Sequence, residues 1–460
     1  MLPMDKVTTS KEADTKDIVQ TTLGKVRGKE INGVLRFTGI PFAEPPVGDL
    51  AFKHPVPKKP WDGVLDCLTG SNNPMQGPGH KVCEYRSRDC LYMNIFVPPT
   101  GLDKYPVSVW IYGGSYTNGG VGRDGEDPDK LVYDLSRFAA ETNTIAVCFN
   151  YRVNIYGFLN LHFLNPDYDQ NCGIFDQIAA LKFIHENIAN FGGDPGNVTL
   201  FGQSAGASCI LAMMAMDEAK PYFHKAISMS SYPKSFWTEE ESRRLTMFYL
   251  KKVRIKPDEL DKLKDLPADV IKRAGQQLKT HVYAIHDLRC AFSPVIDGVT
   301  IKKAPEIACR ESDKPLILGT CWHESDIFTS DIPTILLPAA ALYYGLKPGK
   351  RKGRRERLSD EVSEILYKAP MRGIEDNYSG DCWVYEYRYM TPEIKAGINR
   401  CFHSSDVAVL LGINTVFTRS DDPESDKIGK RLRKIWSDFA WNSDPGWNSY
   451  TGDKTIKIIE

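Results

Sequence analysis

The sequence predicts an α/β fold in which one mostly parallel central sheet is flanked by helices. Continuous apolar runs of strand length alternate with a segment of helical apolar spacing. Strands of a parallel sheet have this uninterrupted apolar character because both of their faces are covered. The chain also contains no internal repeat, low-complexity stretch or linker. We therefore expect residues 1–460 to form a single domain, although that length could hold two or three.

The first elements are predicted to be short antiparallel strands within residues 18–54. The segment IVQTTLGKVRGKEINGVLRFTGIPFA alternates in part between apolar and polar residues. It carries Asn32-Gly33, a dipeptide typical of the two-residue turn of a β-hairpin.

The parallel sheet is predicted to begin after residue 106. A helix is expected over residues 175–193, where apolar residues recur at helical spacing until Gly192-Gly193 ends the pattern. The predicted strands around it are VSVWIY (107–112), TIAVCFNY (144–151) and VTLF (198–201).

A long polar helical region follows, and we interpret it as a helical cap excursion over about residues 238–310. It is not predicted as a separate domain, because PLILG (315–319) resumes the buried-strand pattern. A last strand is expected at WVYEYRYM (383–390), followed by a helical C-terminal segment.

Composition and charge exclude several classes of partner. The chain has 58 basic and 59 acidic residues, so no overall field attracts nucleic acid or an anionic membrane. The N-terminal segment lacks the apolar core of a secretory signal, and no run of 18 apolar residues follows. Eleven scattered cysteines without a C-x-x-C pair are typical of free thiols in a reducing compartment. We expect a cytoplasmic protein without a metal centre, and the sequence leaves open whether it is a monomer or a homo-oligomer.

A candidate nucleophile lies in GQSAG, residues 202–206. VTLF supplies a strand before it and ASCILAMMAM a helix after it. In a G-x-S-x-G turn between a strand and a helix, small flanking residues permit the sharp bend that exposes the serine hydroxyl. This context predicts that Ser204 is a nucleophile.

The base and the acid follow from chain order, which in this arrangement is serine, acid, histidine. His403 lies beyond the last expected strand at a suitable distance, whereas the other histidines precede Ser204, follow it too closely, lie in the cap or adjoin the acid. Glu324, in the loop after PLILG, is the expected acid, and Asp326 in the same loop is its competitor.

Backbone N–H groups are expected to stabilise the tetrahedral oxyanion. One should come from Ala205, which follows the nucleophile, and others from the loop Tyr112-Gly113-Gly114-Ser115-Tyr116 after the strand VSVWIY.

Ordered motifs along nearly the whole chain carry a family resemblance. They are GIPFAEPPVGDLAF (39–52), PWDGV (60–64), DCLYMNIFVP (89–98), IYGGSY (111–116), NYR (150–152), GFL (157–159), residues 175–208, FHKAISMS (223–230), GTCWHESDIF (319–328), HSSD (403–406) and WSDFAWNSDP (436–445). On these motifs the sequence resembles the type-B carboxylesterases, the cholinesterase-like branch of the α/β hydrolases.

The resemblance implies an α/β-hydrolase fold and a serine carboxylic-ester hydrolase without a cofactor, acting on small to medium esters through an acyl-enzyme. Its catalytic residues would be Ser204, Glu324 and His403. The remaining site residues that it implies are the oxyanion donors Gly114, Ser115 and Ala205, the acyl-pocket residue Trp237, and the gorge residues Tyr116 and Phe328.

Some positions depart from the family pattern. Ser115 replaces a third glycine, and Gln203 replaces the more common glutamate before the nucleophile. Residues 74–90 contain no tryptophan, so the aromatic platform that cholinesterases use for quaternary ammonium groups is expected to be absent.

Two alternative functions stay open: amidase, thioesterase or lipase-like activity on the same triad, and a catalytically silent interaction module.

Overall fold

The structure is a computed structural model that describes residues 17–77, 85–284, 289–329, 353–397, 400–415, 418–419 and 421–460. Its strands are β1 (Ile18–Gln20), β2 (Lys25–Arg27), β3 (Lys29–Ile31), β4 (Val34–Pro41), β5 (Val64–Asp66), β6 (Asn73–Pro74), β7 (Arg86–Ser87), β8 (Tyr92–Val97), β9 (Tyr105–Ile111), β10 (Ile145–Phe149), β11 (Gly193–Gln203), β12 (Lys225–Met229), β13 (Trp237–Thr238), β14 (Val295–Ile296), β15 (Leu316–Cys321), β16 (Cys382–Tyr387) and β17 (Ile456–Ile459).

Helices alternate with the strands from residue 136 onwards. They are α1 (Ser136–Thr142), α2 (Asn154–Phe158), α3 (Cys172–Asn187), α4 (Ala205–Met213), α5 (Glu239–Val253), α6 (Ala268–Ala284), α7 (Pro305–Ala308), α8 (Asp326–Thr329), α9 (Arg354–Ser363), α10 (Ala369–Glu375), α11 (Pro392–Ala396), α12 (Ser405–Leu411), α13 (Pro423–Asn442) and α14 (Tyr450–Asp453).

One large sheet organises the described residues. Its strand order is β17-β16-β15-β12-β11-β9-β10-β8-β4-β3. The strands from β17 to β10 pair in parallel, and β8, β4 and β3 continue the sheet through antiparallel pairs. All seven residues of β9 and all five of β10 are buried, because helices cover both faces. The α/β prediction is confirmed.

The short N-terminal strands also lie where the sequence predicts them. β3 and β4 form a hairpin in which Ile31 pairs with Val34. Its two turn residues, Asn32 and Gly33, have φ values of 52° and 80°, which is the backbone geometry that an Asn-Gly turn favours.

Residues 238–310 leave the sheet after β12 and rejoin it at β15. This segment holds α5, α6 and α7, and β14 pairs in parallel with β13. A capping box begins α5: the Thr238 side chain accepts from the Glu241 N–H, and the Glu241 side chain accepts from the Thr238 N–H. No helix of the described residues combines the length and the apolarity needed to cross a membrane.

The C-terminal strand was not anticipated. The expectation that residues 383–390 hold the last strand is wrong, because β17 adds to the sheet in parallel with β16 and pairs Val384 with Ile456. The chain reaches β17 after α14, and the strand is only four residues long. The sequence pattern also did not reveal β12, which is five residues long and fully buried.

Candidate active site

Ser204 occupies the sharp turn between β11 and α4. Its backbone has φ 57° and ψ −122°, a region that residues other than glycine rarely adopt and that costs about 1–3 kcal/mol. Two hydrogen bonds hold the turn: the Ser204 N–H donates to the Met229 carbonyl at 2.9 Å, and the Ser208 N–H donates to the Ser204 carbonyl at 2.9 Å. The strained conformation is the one that projects a nucleophile from a strand-to-helix turn.

The two glycines of the turn are required by close packing against the end of β9. A Cβ atom on Gly202 would lie 2.7 Å from the Ile111 carbonyl oxygen. On Gly206 it would lie 2.2 Å from that oxygen and 2.5 Å from the Tyr112 carbonyl oxygen. All three distances are shorter than any tolerable contact, so a side chain at either position would push Ser204 away from the sheet.

His403 and Glu324 are joined by a short hydrogen bond. The His403 Nδ1 atom lies 2.6 Å from Glu324 Oε2, and the His403 backbone N–H donates to the Glu324 carbonyl at 3.2 Å. The other carboxylate oxygen, Oε1, accepts from the Cys321 N–H at 2.7 Å. Glu324 is fully buried and His403 nearly so. The carboxylate therefore fixes the imidazole orientation, with Nε2 left for the reaction.

Asp326, the competing acid, has other partners. Its carboxylate accepts from the Ser359 hydroxyl and pairs with Arg400 Nε at 3.1 Å. Of the two carboxylates left open by the sequence, the structure therefore places Glu324 on the imidazole.

The opposite side of the imidazole contacts the nucleophile turn. The Gln203 side-chain Nε2 atom lies 2.9 Å from His403 Nε2, and Gln203 immediately precedes Ser204. Sequence reasoning noted Gln203 only as a departure from the family pattern and missed this contact. Residues 203, 324 and 403, which are far apart in the chain, thus meet at one point.

The loop after β9 runs directly against the same turn. A Cβ atom on Gly113 would lie 2.9 Å from the Ser204 Cβ. Gly114, Ser115 and Tyr116 follow with φ values of 113°, 54° and 56°. Residues other than glycine rarely adopt φ values in this range, so the loop has an unusual backbone conformation next to the nucleophile.

The three candidate oxyanion donors share one property. Among the described residues, no acceptor is found for the backbone N–H groups of Gly114, Ser115 and Ala205. Ala205 is also the first residue of α4, where helix N–H groups lack internal partners and the helix dipole favours negative charge. These groups can therefore bind an oxyanion.

A cavity of about 300 Å³ opens beside this loop. Ser115, Phe328 and Tyr367 are among its lining residues. The Phe328 and Tyr367 rings lie 5.5 and 5.0 Å from the His403 ring, centroid to centroid. Tyr367 belongs to a π-helical turn, Glu364–Lys368, and no feature of the sequence indicated its position.

Tyr116 and Trp237 are buried next to the cavity. The Tyr116 hydroxyl lies 3.1 Å from the Ser235 hydroxyl. The Trp237 indole N–H donates to the carbonyl of Cys290, a lining residue, at 3.1 Å. Both aromatic side chains support the cavity wall, and their direct contact with substrate stays a prediction.

A second buried acid lies behind the histidine. Asp406 is fully buried, and the Tyr385 hydroxyl donates to its Oδ2 atom at 3.1 Å. Burial and the neighbouring Glu324 charge raise the pKa of Asp406 to about 6. Within the part of the chain that the structure describes, no group of three or more His, Cys, Asp or Glu residues is placed to hold a metal ion.

Comparisons with known proteins show which family the chain is similar to. A model of the carboxylesterase family matches residues 15–336. The para-nitrobenzyl esterase of Bacillus subtilis is 34% identical over 97% of this chain and 95% of its own length. The acetylcholinesterase of Danio rerio is 35% identical over 69% of this chain and 52% of its own length.

Solved structures give the same result for the fold. A PNB esterase structure superposes with a TM-score of 0.83 at 32% identity, covering 97% of this chain and 96% of that one. A carboxylesterase of Geobacillus stearothermophilus superposes with a TM-score of 0.79 at 28% identity, covering 96% of each chain.

Proposed function

The chain belongs to the carboxylesterase family, and from that premise we propose that it hydrolyses esters with Ser204, His403 and Glu324 as its catalytic triad. It has the α/β-hydrolase fold and is a carboxylic-ester hydrolase. The observation that supports the triad most directly is the contact of the His403 imidazole with Glu324 on one side and with the nucleophile turn on the other.

Acylation begins when Ser204 Oγ attacks the ester carbonyl carbon while His403 Nε2 takes the hydroxyl proton. Glu324 keeps the Nδ1 proton in place and stabilises the imidazolium. The carbonyl oxygen becomes an oxyanion that accepts hydrogen bonds from the Gly114, Ser115 and Ala205 N–H groups. The C–O bond to the alcohol then breaks, and the imidazolium protonates the departing alkoxide.

Deacylation repeats the same steps with water as the nucleophile. His403 takes a proton from a water molecule, whose oxygen attacks the acyl carbon of the Ser204 ester. Collapse of the second tetrahedral intermediate releases the carboxylic acid and returns the proton to Ser204 Oγ. Because the Gln203 amide lies on His403 Nε2 in the free protein, the serine hydroxyl has to share or replace that contact.

The substrates we propose are small to medium carboxylic esters. A volume of about 300 Å³ is at the lower end for pockets that bind small organic molecules. The Phe328 and Tyr367 rings favour an aromatic group, and the relative named para-nitrobenzyl esterase makes aryl and benzyl esters the first compounds to test.

Hydrolysis of p-nitrophenyl esters with acyl chains of increasing length tests this function. We expect Ser204→Ala to lower kcat by about 10³-fold or more, and the preferred chain length to report the depth of the acyl pocket. Ser437→Ala is a matched control, since the Ser437 hydroxyl donates to the Thr142 carbonyl on α1, outside the site. Equal rates for wild type and Ser204→Ala would contradict the proposal and favour the silent interaction module.

The same triad can cleave anilides and thioesters, because each passes through an acyl-enzyme. Matched p-nitroanilide and thioester substrates separate these activities from esterase activity. A lipase would need an extended apolar lid, whereas α5 and α6 in the cap carry many charged residues.

We also propose a cytoplasmic location. The ten cysteines within the described residues are all free thiols, and nine are buried. Burial raises the pKa of the Cys67 thiol to about 12, which makes such a thiol unreactive. Thiol titration of the unfolded protein, isolated without reductant, is expected to count all eleven cysteines, and a lower count would contradict the proposal.

A further inference from the structure

We propose that Gln203 is a positioning residue that holds the His403 imidazole in a resting state, from which the base must be released before Ser204 can attack an ester. This inference rests on the proposed function, because it concerns the base of the same triad. The His403 Nε2 atom lies 2.9 Å from the side-chain Nε2 atom of Gln203. Ser204, the next residue in the chain, needs the same imidazole nitrogen to accept its proton.

The partner on the other side of the ring decides the direction of this hydrogen bond. The His403 Nδ1 atom lies 2.6 Å from Glu324 Oε2, and a carboxylate can only accept, so Nδ1 carries a proton. In the neutral ring Nε2 is then an acceptor with a single lone pair. The Gln203 amide nitrogen therefore donates to that lone pair. The amide oxygen lies towards the oxyanion loop, 2.9 Å from the position of a Cβ atom on Gly113.

The Ser204 hydroxyl, by contrast, is not bonded to the base. Within the part of the chain that the structure describes, no hydrogen-bond partner is found for it, and the imidazole Nε2 atom has no partner other than Gln203. Because one lone pair accepts from one donor, the Gln203 amide and the Ser204 hydroxyl compete for it. In the free protein the acid and the base are joined, whereas the nucleophile is separate from both.

The contact between Gln203 and His403 stabilises the free enzyme more than the transition state. It has to break when Nε2 takes the serine proton, so it raises the barrier to acylation. A hydrogen bond between neutral groups of a protein shifts an equilibrium by about two- to tenfold, and loss of the amide should increase kcat/KM by that factor. The factor should be the same for different esters, because the amide acts on the enzyme before the ester reacts.

The effect should depend on pH, because an imidazolium has no lone pair on Nε2. At acid pH, where the ring is protonated, loss of the amide should leave kcat/KM unchanged, and at alkaline pH the whole increase should appear. The pH of half-maximal kcat/KM should therefore rise by about 0.3–1 unit, the logarithm of the same factor. Among the described residues, the titratable groups that face the ring are Glu324, Asp406 and Tyr367, and all three stay in place.

Gln203→Met tests the inference, since methionine is similar in length to glutamine and has no N–H group. The measurement is kcat/KM from roughly pH 5 to pH 9, on both sides of the ordinary histidine range. The substrates are p-nitrophenyl acetate and p-nitrophenyl butanoate, and each rate is corrected for the rate with Ser204→Ala at the same pH. We expect the variant to be about two- to tenfold faster than wild type at the alkaline end, and equal to it at the acid end.

Two further variants accompany this experiment. Gln203→Asn, whose amide is one methylene shorter and does not reach the ring, takes the place of Gln203→Met if circular dichroism shows that the methionine variant is not folded. Gln277→Met is the control, because Gln277 is an exposed residue of α6, and it should follow wild type at every pH.

Three results would overturn the inference: no increase in kcat/KM at alkaline pH, a change of equal size at every pH, or a factor that differs between the two esters. The first two are the results that a purely structural role of Gln203 would give. Hydrolysis by wild type that is no faster than hydrolysis by Ser204→Ala would instead count against the proposed function.

Discussion

At Glu324, both carboxylate oxygens have assigned partners. One accepts from the Cys321 N–H at 2.7 Å and the other from the His403 imidazole at 2.6 Å. The carboxylate is buried, so it can neither rotate nor exchange these partners for water without losing a charge-assisted hydrogen bond. Asp326, two residues later, is instead held by Ser359 and Arg400. The two neighbouring acids therefore have separate tasks.

We predict that Glu324→Gln lowers kcat by about 10³–10⁴-fold, because an amide no longer holds the imidazole in the tautomer that accepts the serine proton. Asp326→Asn is the matched variant, and it should stay within about tenfold of wild type since Asp326 does not touch the imidazole. The measurement is kcat on a p-nitrophenyl ester, with circular dichroism to verify folding. A larger loss in Asp326→Asn would reverse the assignment of the acid.

Ser115 presents a different residue-level question, because a side chain occupies a left-handed position in the oxyanion loop. Its φ is 54°, and this left-handed conformation costs a residue other than glycine about 1–2 kcal/mol. The group that we propose to bind the oxyanion is the backbone N–H, which glycine also has.

We therefore expect Ser115→Gly to keep kcat within about threefold of wild type and to raise the free energy of unfolding by up to about 1 kcal/mol, since glycine adopts this φ without strain. Ester kinetics and thermal unfolding measure the two effects. A fall in kcat of more than about tenfold would show that the serine hydroxyl itself takes part in the reaction.

At the scale of elements, the site depends on how closely α4 and the nucleophile turn approach the end of β9. β11, which ends at the nucleophile turn, pairs in parallel with β9 and places Gly202 opposite Ile111. The start of α4 then crosses the end of β9 with only glycine between the two backbones. The same approach brings Gly113 of the oxyanion loop onto Ser204, so packing and catalytic geometry are set together.

Gly206→Ala tests this dependence. The added methyl group would meet the Ile111 carbonyl oxygen at 2.2 Å, so we expect a loss of roughly 3 kcal/mol in the free energy of unfolding and a large fall in kcat. Gly452→Ala on α14 is the control, because a Cβ atom there meets nothing within 4 Å. Equal stabilities of the two variants, measured by denaturant unfolding, would contradict the close approach.

The beginning of the cap is a second element whose geometry bears on the site. Glu241 completes the α5 capping box and also accepts from Arg289. Hydrogen bonds from Arg289 lower the pKa of Glu241 to about 2. The Arg289 guanidinium in turn lies 3.7 Å from the centroid of the Trp237 ring. These contacts fasten α5 to the cavity wall, because Arg289 lines the cavity.

In the molecule as a whole, the sheet gathers residues that are far apart in the chain. Ser204 follows β11, Glu324 follows β15 and His403 follows β16, and these strands are parallel with β12 between β11 and β15. The carboxyl ends of parallel strands lie along one edge of the sheet, which is where ligands bind in open α/β sheets. Chain order could therefore predict the triad before its contacts were known.

Other features of the fold and of the site depend on tertiary packing, which the sequence pattern alone does not reveal. The apolar runs predicted β9, β10 and β15, since buried strands have a distinct composition. β17 is four residues long and only partly buried, so it has no such signature. The contact of Gln203 with His403 and the position of Tyr367 arise from tertiary packing between segments about 200 and 36 residues apart, for which local spacing gives no signal.

Global stability should depend on pH through a buried acid outside the site. Glu375 ends α10 and is 5% exposed. Burial raises the pKa of its carboxyl from 4.5 to about 7, although the Arg372 charge acts in the opposite direction. Between these two pH values the folded protein holds a proton that the unfolded chain has released. The free energy of unfolding therefore decreases as pH rises from 4.5 to 7. Above pH 7 the whole destabilising effect of the ionised Glu375 carboxylate is present.

We predict that Glu375→Gln removes this destabilisation at high pH, since a glutamine has no proton to release. The difference between 4.5 and about 7 corresponds to roughly 3 kcal/mol as an upper figure. The variant and wild type should thus be about equally stable near pH 4, and the variant should gain an advantage of up to that size by about pH 8. Glu361→Gln on α9 is the control, because Glu361 is exposed. Urea unfolding across this pH range measures the difference, and a constant gap between wild type and Glu375→Gln would show that folding does not raise the pKa of the Glu375 carboxyl.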